Sequence, residues 1–194
     1  LIPRPETEEL VMMIRERWGE NPPSTVLDLG TGTGAIALAL AQCFPKARVH
    51  ASDYSKPALD LARQNAEIHK IGNIEFIQSH WYEEISGTYD IVVSNPPYLS
   101  EEEWLSSEPE VRQYDPHQAL VSGENGLKDA RYLLSESGKY LNPGGWLVLE
   151  IGNTQHTDLQ AWAEGLNYEE VFLTKDISGQ LRFLFAGKLM ASAE

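Results

Sequence analysis

Thr25-Val26-Leu27-Asp28-Leu29-Gly30-Thr31-Gly32-Thr33-Gly34, followed by the apolar run 35–44, is the stretch on which the fold turns. Residues 25–29 read as a short buried strand, and 35–44 as a helix with no polar residue until Gln42. The glycines between them let the backbone turn tightly and bring a ligand close to main-chain N–H groups at a helix N-terminus. A second strand, 48–52, runs into Asp53. That is the spacing at which a carboxylate accepts from both ribose hydroxyls in nucleotide-binding βαβ units. The loop alone does not choose a ligand, since Gly30, Gly32 and Ala35 also satisfy the dinucleotide pattern G-x-G-x-x-G/A.

Working outward, strands and helices alternate. Helical spacing covers 7–18, with Glu6, Glu8 and Glu9 near its positive N-terminal end. A third helix at 56–69 has Ser55 as N-cap and Pro57 in its first turn. Strands are expected at 73–79, 89–94 and 146–151, helices at 124–141 and 156–164, and a final hairpin from 168–174 and 180–186. Such alternation implies a three-layer α/β/α sandwich on a mostly parallel, seven-stranded sheet with ligands at the carboxyl ends of the strands. Residues 99–123 show no periodicity and carry Glu101, Glu102, Glu103, Glu108 and Glu110. So long an irregular segment is expected to be a lid or recognition loop.

Asn95-Pro96-Pro97-Tyr98 follows the strand 89–94 directly. Two prolines fix their own φ, remove two N–H donors and push the preceding residues into extended geometry, so the Asn95 side chain is held rigid at the edge of the sheet. Its amide oxygen and the Pro96 carbonyl can both accept from one planar –NH2 group, with the Tyr98 ring over that group's face. An amide or an exocyclic base amine suits this clamp. Asp53 serves NAD and S-adenosylmethionine equally. Asp28, just before the first glycine, favours the latter, because a methionine ammonium seeks a carboxylate and a pyrophosphate does not.

These residues together resemble the class I S-adenosylmethionine-dependent methyltransferases. The opening Leu1-Ile2-Pro3-Arg4-Pro5-Glu6-Thr7-Glu8 narrows the resemblance to the release factor glutamine methyltransferases, the HemK or PrmC family. It extends through Ala119-Leu120, 123–127, and Pro143-Gly144-Gly145 to Glu150. The resemblance implies N5-methylation of the glutamine in the Gly-Gly-Gln motif of class 1 peptide chain release factors in the cytoplasm. The cofactor would be S-adenosyl-L-methionine, and the product S-adenosyl-L-homocysteine. It assigns Asp28, Gly30, Thr31, Gly32, Thr33, Gly34, Asp53, His80, Trp81 and Asn95 to the cofactor, and Asn95, Pro96, Pro97 and Tyr98 to catalysis. The family carries Asp before the aromatic at position 81; His80 stands there instead, and a neutral imidazole offers one acceptor nitrogen. Because the family ordinarily has a small helical domain ahead of this point, residues 1–194 are expected to be the catalytic domain. Two alternatives use the same clamp: a glutamine methyltransferase acting on a large-subunit ribosomal protein, and an adenine-N6 nucleic-acid methyltransferase.

Composition bears on the partner. Fifteen basic and 29 acidic residues give a net charge of −14. An acidic surface repels phosphate backbones, so a protein substrate is favoured and nucleic acid is not expected. No apolar run reaches the ~20 residues of a membrane span. The single Cys43 sits on an apolar helix and reads as an inert core thiol in a reducing compartment. Five histidines are scattered without metal-ligand spacing, and no metal is expected.

Overall fold

Pairing register determines what meets at the carboxyl edge of this sheet. The computed structural model describes residues 5–190; Leu1-Ile2-Pro3-Arg4, which opens the family signature, lies outside them. In chain order the elements are α1 (Pro5–Trp18), β1 (Thr25–Leu29), α2 (Ala35–Cys43), β2 (Arg48–Asp53), α3 (Lys56–His69), β3 (Ile74–Gln78), β4 (Tyr89–Ser94), α4 (Glu101–Ser106), α5 (Pro109–Tyr114), α6 (His117–Leu120), α7 (Lys128–Ser137), β5 (Leu141–Glu150), α8 (His156–Glu164), β6 (Tyr168–Lys175) and β7 (Leu181–Lys188). The strand order is β3-β2-β1-β4-β5-β7-β6. β1 to β5 are parallel, and β7 runs antiparallel to both β5 and β6. This is the mostly parallel, seven-stranded sheet that the alternation of elements implies.

The strands are apolar on both faces because both are covered. Val26, Ile91, Val93, Val148 and Phe183 point to one side, where Leu10 and Ile14 of α1 and Ile36 and Leu40 of α2 pack on them. Leu27, Val92, Leu147 and Leu149 point to the other, against Leu133 and Leu134 of α7 and Leu159 of α8. Each such leucine contributes roughly 1.5–3 kcal/mol relative to exposure. α3 starts where its cap dictates: the Ser55 hydroxyl accepts from the Ala58 N–H at 3.4 Å. Among the described residues no helix is long and apolar enough to cross a membrane.

Two expectations are corrected. The helix foreseen at 124–141 is shorter, because Glu124, Asn125 and Gly126 all have positive φ and α7 begins only at Lys128. Its last residue instead opens β5, which carries Pro143-Gly144-Gly145 within the strand. The segment 99–123 is not irregular throughout but contains α4, α5 and α6. None exceeds six residues, too short for a 3.6-residue apolar period to show. α4 is set by a capping box in which Ser100 and Glu103 satisfy each other's backbone N–H groups. Leu99 and Val121 form a parallel bridge that closes the excursion at its base.

Candidate active site

Leu29 pairs with Ser52 on one side and Ser94 on the other, and Ser94 pairs with Leu149. The next residues along these strands are Asp53, Gly30, Asn95 and Glu150, which therefore stand side by side. Between β1 and β4 the strand order reverses, and such a switch point is where open α/β sheets bind their ligands. The glycine loop, Asp53 and the Asn-Pro-Pro-Tyr segment are thus brought to one place.

At the loop, Asp28 is fully buried. Its Oδ2 accepts from the Thr31 hydroxyl at 2.6 Å and the Ala37 N–H at 3.1 Å, while Oδ1 has no hydrogen-bond partner among the described residues. Burial pushes this carboxyl up to about 7, opposed by those two hydrogen bonds. A buried oxygen without a donor is the place for a cationic group. The Thr31 hydroxyl is spent on Asp28, so that residue shapes the loop through its backbone. Asp53 is half-buried, with Oδ2 accepting from the Gly32 N–H and Oδ1 from the Ser55 N–H, both at 2.8 Å. Each oxygen keeps a further lone pair, and the carboxylate is oriented beside the loop. The Thr33 carbonyl accepts from Asn65 at 2.9 Å, and Gly34, at φ 85, caps α2.

Asp28 makes stability pH-dependent. Between its ordinary 3.8 and about 7 the unfolded chain has released this proton and the folded chain has kept it. Rising pH across that window should therefore cost stability, by at most about 1.4 kcal/mol per unit from this group. Denaturant titrations of the parent and Asp28→Asn across the window should show the decline shrinking in the variant; equal profiles would contradict the assignment.

An aromatic wall stands beyond β3. Trp81 adopts φ 50, unusual for a bulky residue. Its Nε1 donates to Asp129 at 3.0 Å, and Asp129 in turn accepts from the Ser122 hydroxyl at 2.6 Å. Gly30, at φ 72, tolerates the ring because a Cβ there would lie 3.3 Å from it. His80 is exposed; its Nδ1 faces Glu83 Oε1 at 3.2 Å and its ring meets Tyr54 edge-on. Tyr54, 64% exposed beside Asp53, is a further candidate that the glycine-loop spacing does not mark. An uncovered aromatic next to a ribose-type carboxylate is the signal that was available.

Asn95 is half-buried and Pro96 buried. The Asn95 Nδ2 donates to the Thr7 hydroxyl at 3.4 Å, and among the described residues neither its Oδ1 nor the Pro96 carbonyl has a hydrogen-bond partner. Behind them the Tyr98 carbonyl accepts from Gln155 Nε2 at 2.8 Å, and Gln155 Oε1 accepts from the Gly152 N–H at 3.0 Å. Gly126 packs directly on this arrangement: at φ 86, any Cβ would overlap the Tyr98 carbonyl oxygen and the Gln155 amide. Gly126→Ala should cost at least 1–3 kcal/mol of stability, roughly 2–4 °C of Tm per kcal/mol in a chain of this size, as read by thermal unfolding. An unchanged Tm would mean that the loop relaxes freely.

Sheet order, glycine loop and switch-point carboxylates define a class I methyltransferase fold. Solved structures agree: a methyltransferase from Pyrococcus furiosus matches 98% of this chain and 89% of its own at TM-score 0.72 and 20% identity. The hMettl16 catalytic domain matches 100% and 74% at TM-score 0.78 and 16% identity. The methyltransferase small domain model matches residues 7–108. Among curated relatives, the release factor glutamine methyltransferase of Aliivibrio fischeri is 43% identical over 184 residues, covering 94% of this chain and 64% of that protein. The one from Lactococcus lactis is 42% identical over 185 residues, covering 95% and 68%. The chain belongs to the release factor glutamine methyltransferase family, and spans about two-thirds of the length of these relatives.

Proposed function

We propose that this chain carries the catalytic domain of an enzyme that methylates N5 of the glutamine in the Gly-Gly-Gln motif of class 1 peptide chain release factors. The observation that carries this reading is a pair of acceptors with no partner among the described residues, Asn95 Oδ1 and the Pro96 carbonyl, held by two prolines at the end of β4. Two acceptors on a rigid support fit the two N–H groups of one primary amide. The relatives' names supply the particular amide.

The residues present fit S-adenosyl-L-methionine. Asp28 Oδ1 is a buried acceptor in want of a cation, Asp53 has lone pairs for a ribose diol, and Trp81 and Tyr54 are rings on which a base can stack, worth about 1–3 kcal/mol. Glu83 favours the proton on Nδ1 of a neutral His80, which leaves Nε2 to accept from an adenine amino group. His80→Phe should then weaken cofactor binding by about 1 kcal/mol in calorimetry, and no change would remove His80 from the adenine edge. When bound, S-adenosyl-L-methionine supplies an electrophilic methyl group and leaves as S-adenosyl-L-homocysteine.

An amide nitrogen is a poor nucleophile because its lone pair is delocalised. Asn95 and Pro96 orient it by accepting from its N–H groups, Pro97 keeps the pair rigid, and Tyr98 covers the amide face. Positioning of this kind contributes roughly 7–11 kcal/mol in favourable cases. The net charge of −14 suits a protein acceptor better than a polyphosphate. A release factor as partner also implies the cytoplasm. Incubation with labelled S-adenosyl-L-methionine and, in parallel, a release factor, a ribosomal protein fraction and DNA tests the reading. One added methylene on the Gly-Gly-Gln glutamine supports it; comparable kcat/KM on DNA, or labelling that survives Gln→Ala in that motif, would refute it.

A further inference from the structure

We propose that Thr7 and Glu150 are positioning residues that fix which end of the Asn95 amide faces the acceptor. The proposal rests on the reading of Asn95 as the residue that binds the acceptor –NH2. Glu150 is 1% exposed at the end of β5, and Thr7 is 7% exposed in the first turn of α1. The Thr7 hydroxyl lies 3.1 Å from Glu150 Oε2 and 3.4 Å from Asn95 Nδ2.

The direction of these hydrogen bonds follows from what each group can do. The Thr7 hydroxyl donates to Glu150 Oε2, so its single proton is committed there. What Thr7 has left for Asn95 is a lone pair. Asn95 must therefore turn its –NH2 towards Thr7, and its oxygen towards the open side of the switch point. The two ends of an amide are nearly the same size, and packing alone distinguishes them poorly. A flipped Asn95 would oppose two lone pairs across the Thr7 contact and present donors to an acceptor group that itself has only N–H to offer. The Glu150 acceptor thus sets, through one hydroxyl, the polarity of the catalytic amide.

Each link is supported from outside the chain of three. Asn95 and Glu150 are brought together by register, since Ser94 and Leu149 are paired. The first turn of α1 is held over them by buried Leu10 and by Glu9 Oε2, which accepts from the Ile177 N–H at 2.8 Å in the β6–β7 turn. The hydroxyl therefore has little freedom to leave.

Thr7→Val keeps the shape and removes the hydroxyl; Thr7→Ser keeps the hydroxyl. In the full chain, kcat for glutamine methylation is expected to fall about tenfold or more in Thr7→Val, with cofactor Kd within twofold of the parent, and to recover to within about threefold in Thr7→Ser. If Thr7→Val does not fold, Thr7→Ala removes the same hydroxyl with less bulk against Glu150. Side-chain amide NMR gives a readout independent of the acceptor: Asn95 in the parent should show two resolved, slowly exchanging –NH2 protons, perturbed in Thr7→Val and restored in Thr7→Ser. Parent-like kcat in Thr7→Val alongside an inactive Asn95→Ala overturns the relay and leaves the role of Asn95 standing. A fully active Asn95→Ala overturns that role and, with it, the positioning claim. A freely exchanging Asn95 amide in the parent overturns the relay whatever the acceptor proves to be.

Discussion

Asn95→Ala is expected to lower the rate of methyl transfer by about 10²–10³-fold, the range seen when one preorganised hydrogen-bonding group is removed from a reacting centre. Cofactor affinity should stay within several-fold. The separation is expected on the proposed role: Asn95 touches Thr7 with its nitrogen, and its oxygen, without a partner among the described residues, is the atom assigned to the acceptor rather than to the glycine loop. The Pro96 carbonyl remains, so some orientation survives. Single-turnover methylation together with calorimetry checks this, and a parallel loss of rate and cofactor affinity would show that Asn95 acts on the cofactor instead.

Asp53→Ala should do the reverse. A carboxylate that accepts from a ribose diol makes charge-assisted hydrogen bonds, and losing them is expected to weaken cofactor binding by about 1.5–3 kcal/mol. The same oxygens accept from the Gly32 and Ser55 N–H groups, so the variant also loosens the glycine loop and frees the start of α3. Asp53→Asn separates the two effects, since its one remaining oxygen can hold a single N–H. Affinity should fall between that of the parent and that of Asp53→Ala. Parent-like affinity in Asp53→Ala would sink the ribose assignment.

The fold was legible where apolar period and loop chemistry coincide. The strand 25–29, the glycines, the Ser55 cap and the run into Asn95-Pro96 are local: each depends on residues within a few positions of itself, and each appears in the structure within a residue or so of its expected bounds. α4 to α6 were not legible because a helix of one to two turns has no period to detect, and α7 starts later than expected because Glu124, Asn125 and Gly126 take positive φ, a turn that the Asn125-Gly126 pair marks.

The site divides in the same way. Asp28, Asp53 and the Asn-Pro-Pro-Tyr segment could be read from spacing, because a glycine loop, a strand end and two prolines confine them locally. Which of them touch, and what holds them, could not. Thr7, Asn95 and Glu150 are scattered along the chain, and Trp81 is 48 residues from the Asp129 that pins it. Contacts at such separations depend on strand register and on how α1 and α7 lie across the two faces of the sheet. By itself, then, the sequence determined the βαβ frame, the acidic surface and the residue types at the edge of the sheet, because these follow from periodicity, charge and backbone restriction. Only the tertiary structure decided that a hydroxyl from α1 stands between Asn95 and a buried Glu150, because a hydrogen bond between distant segments exists only once packing has set their register.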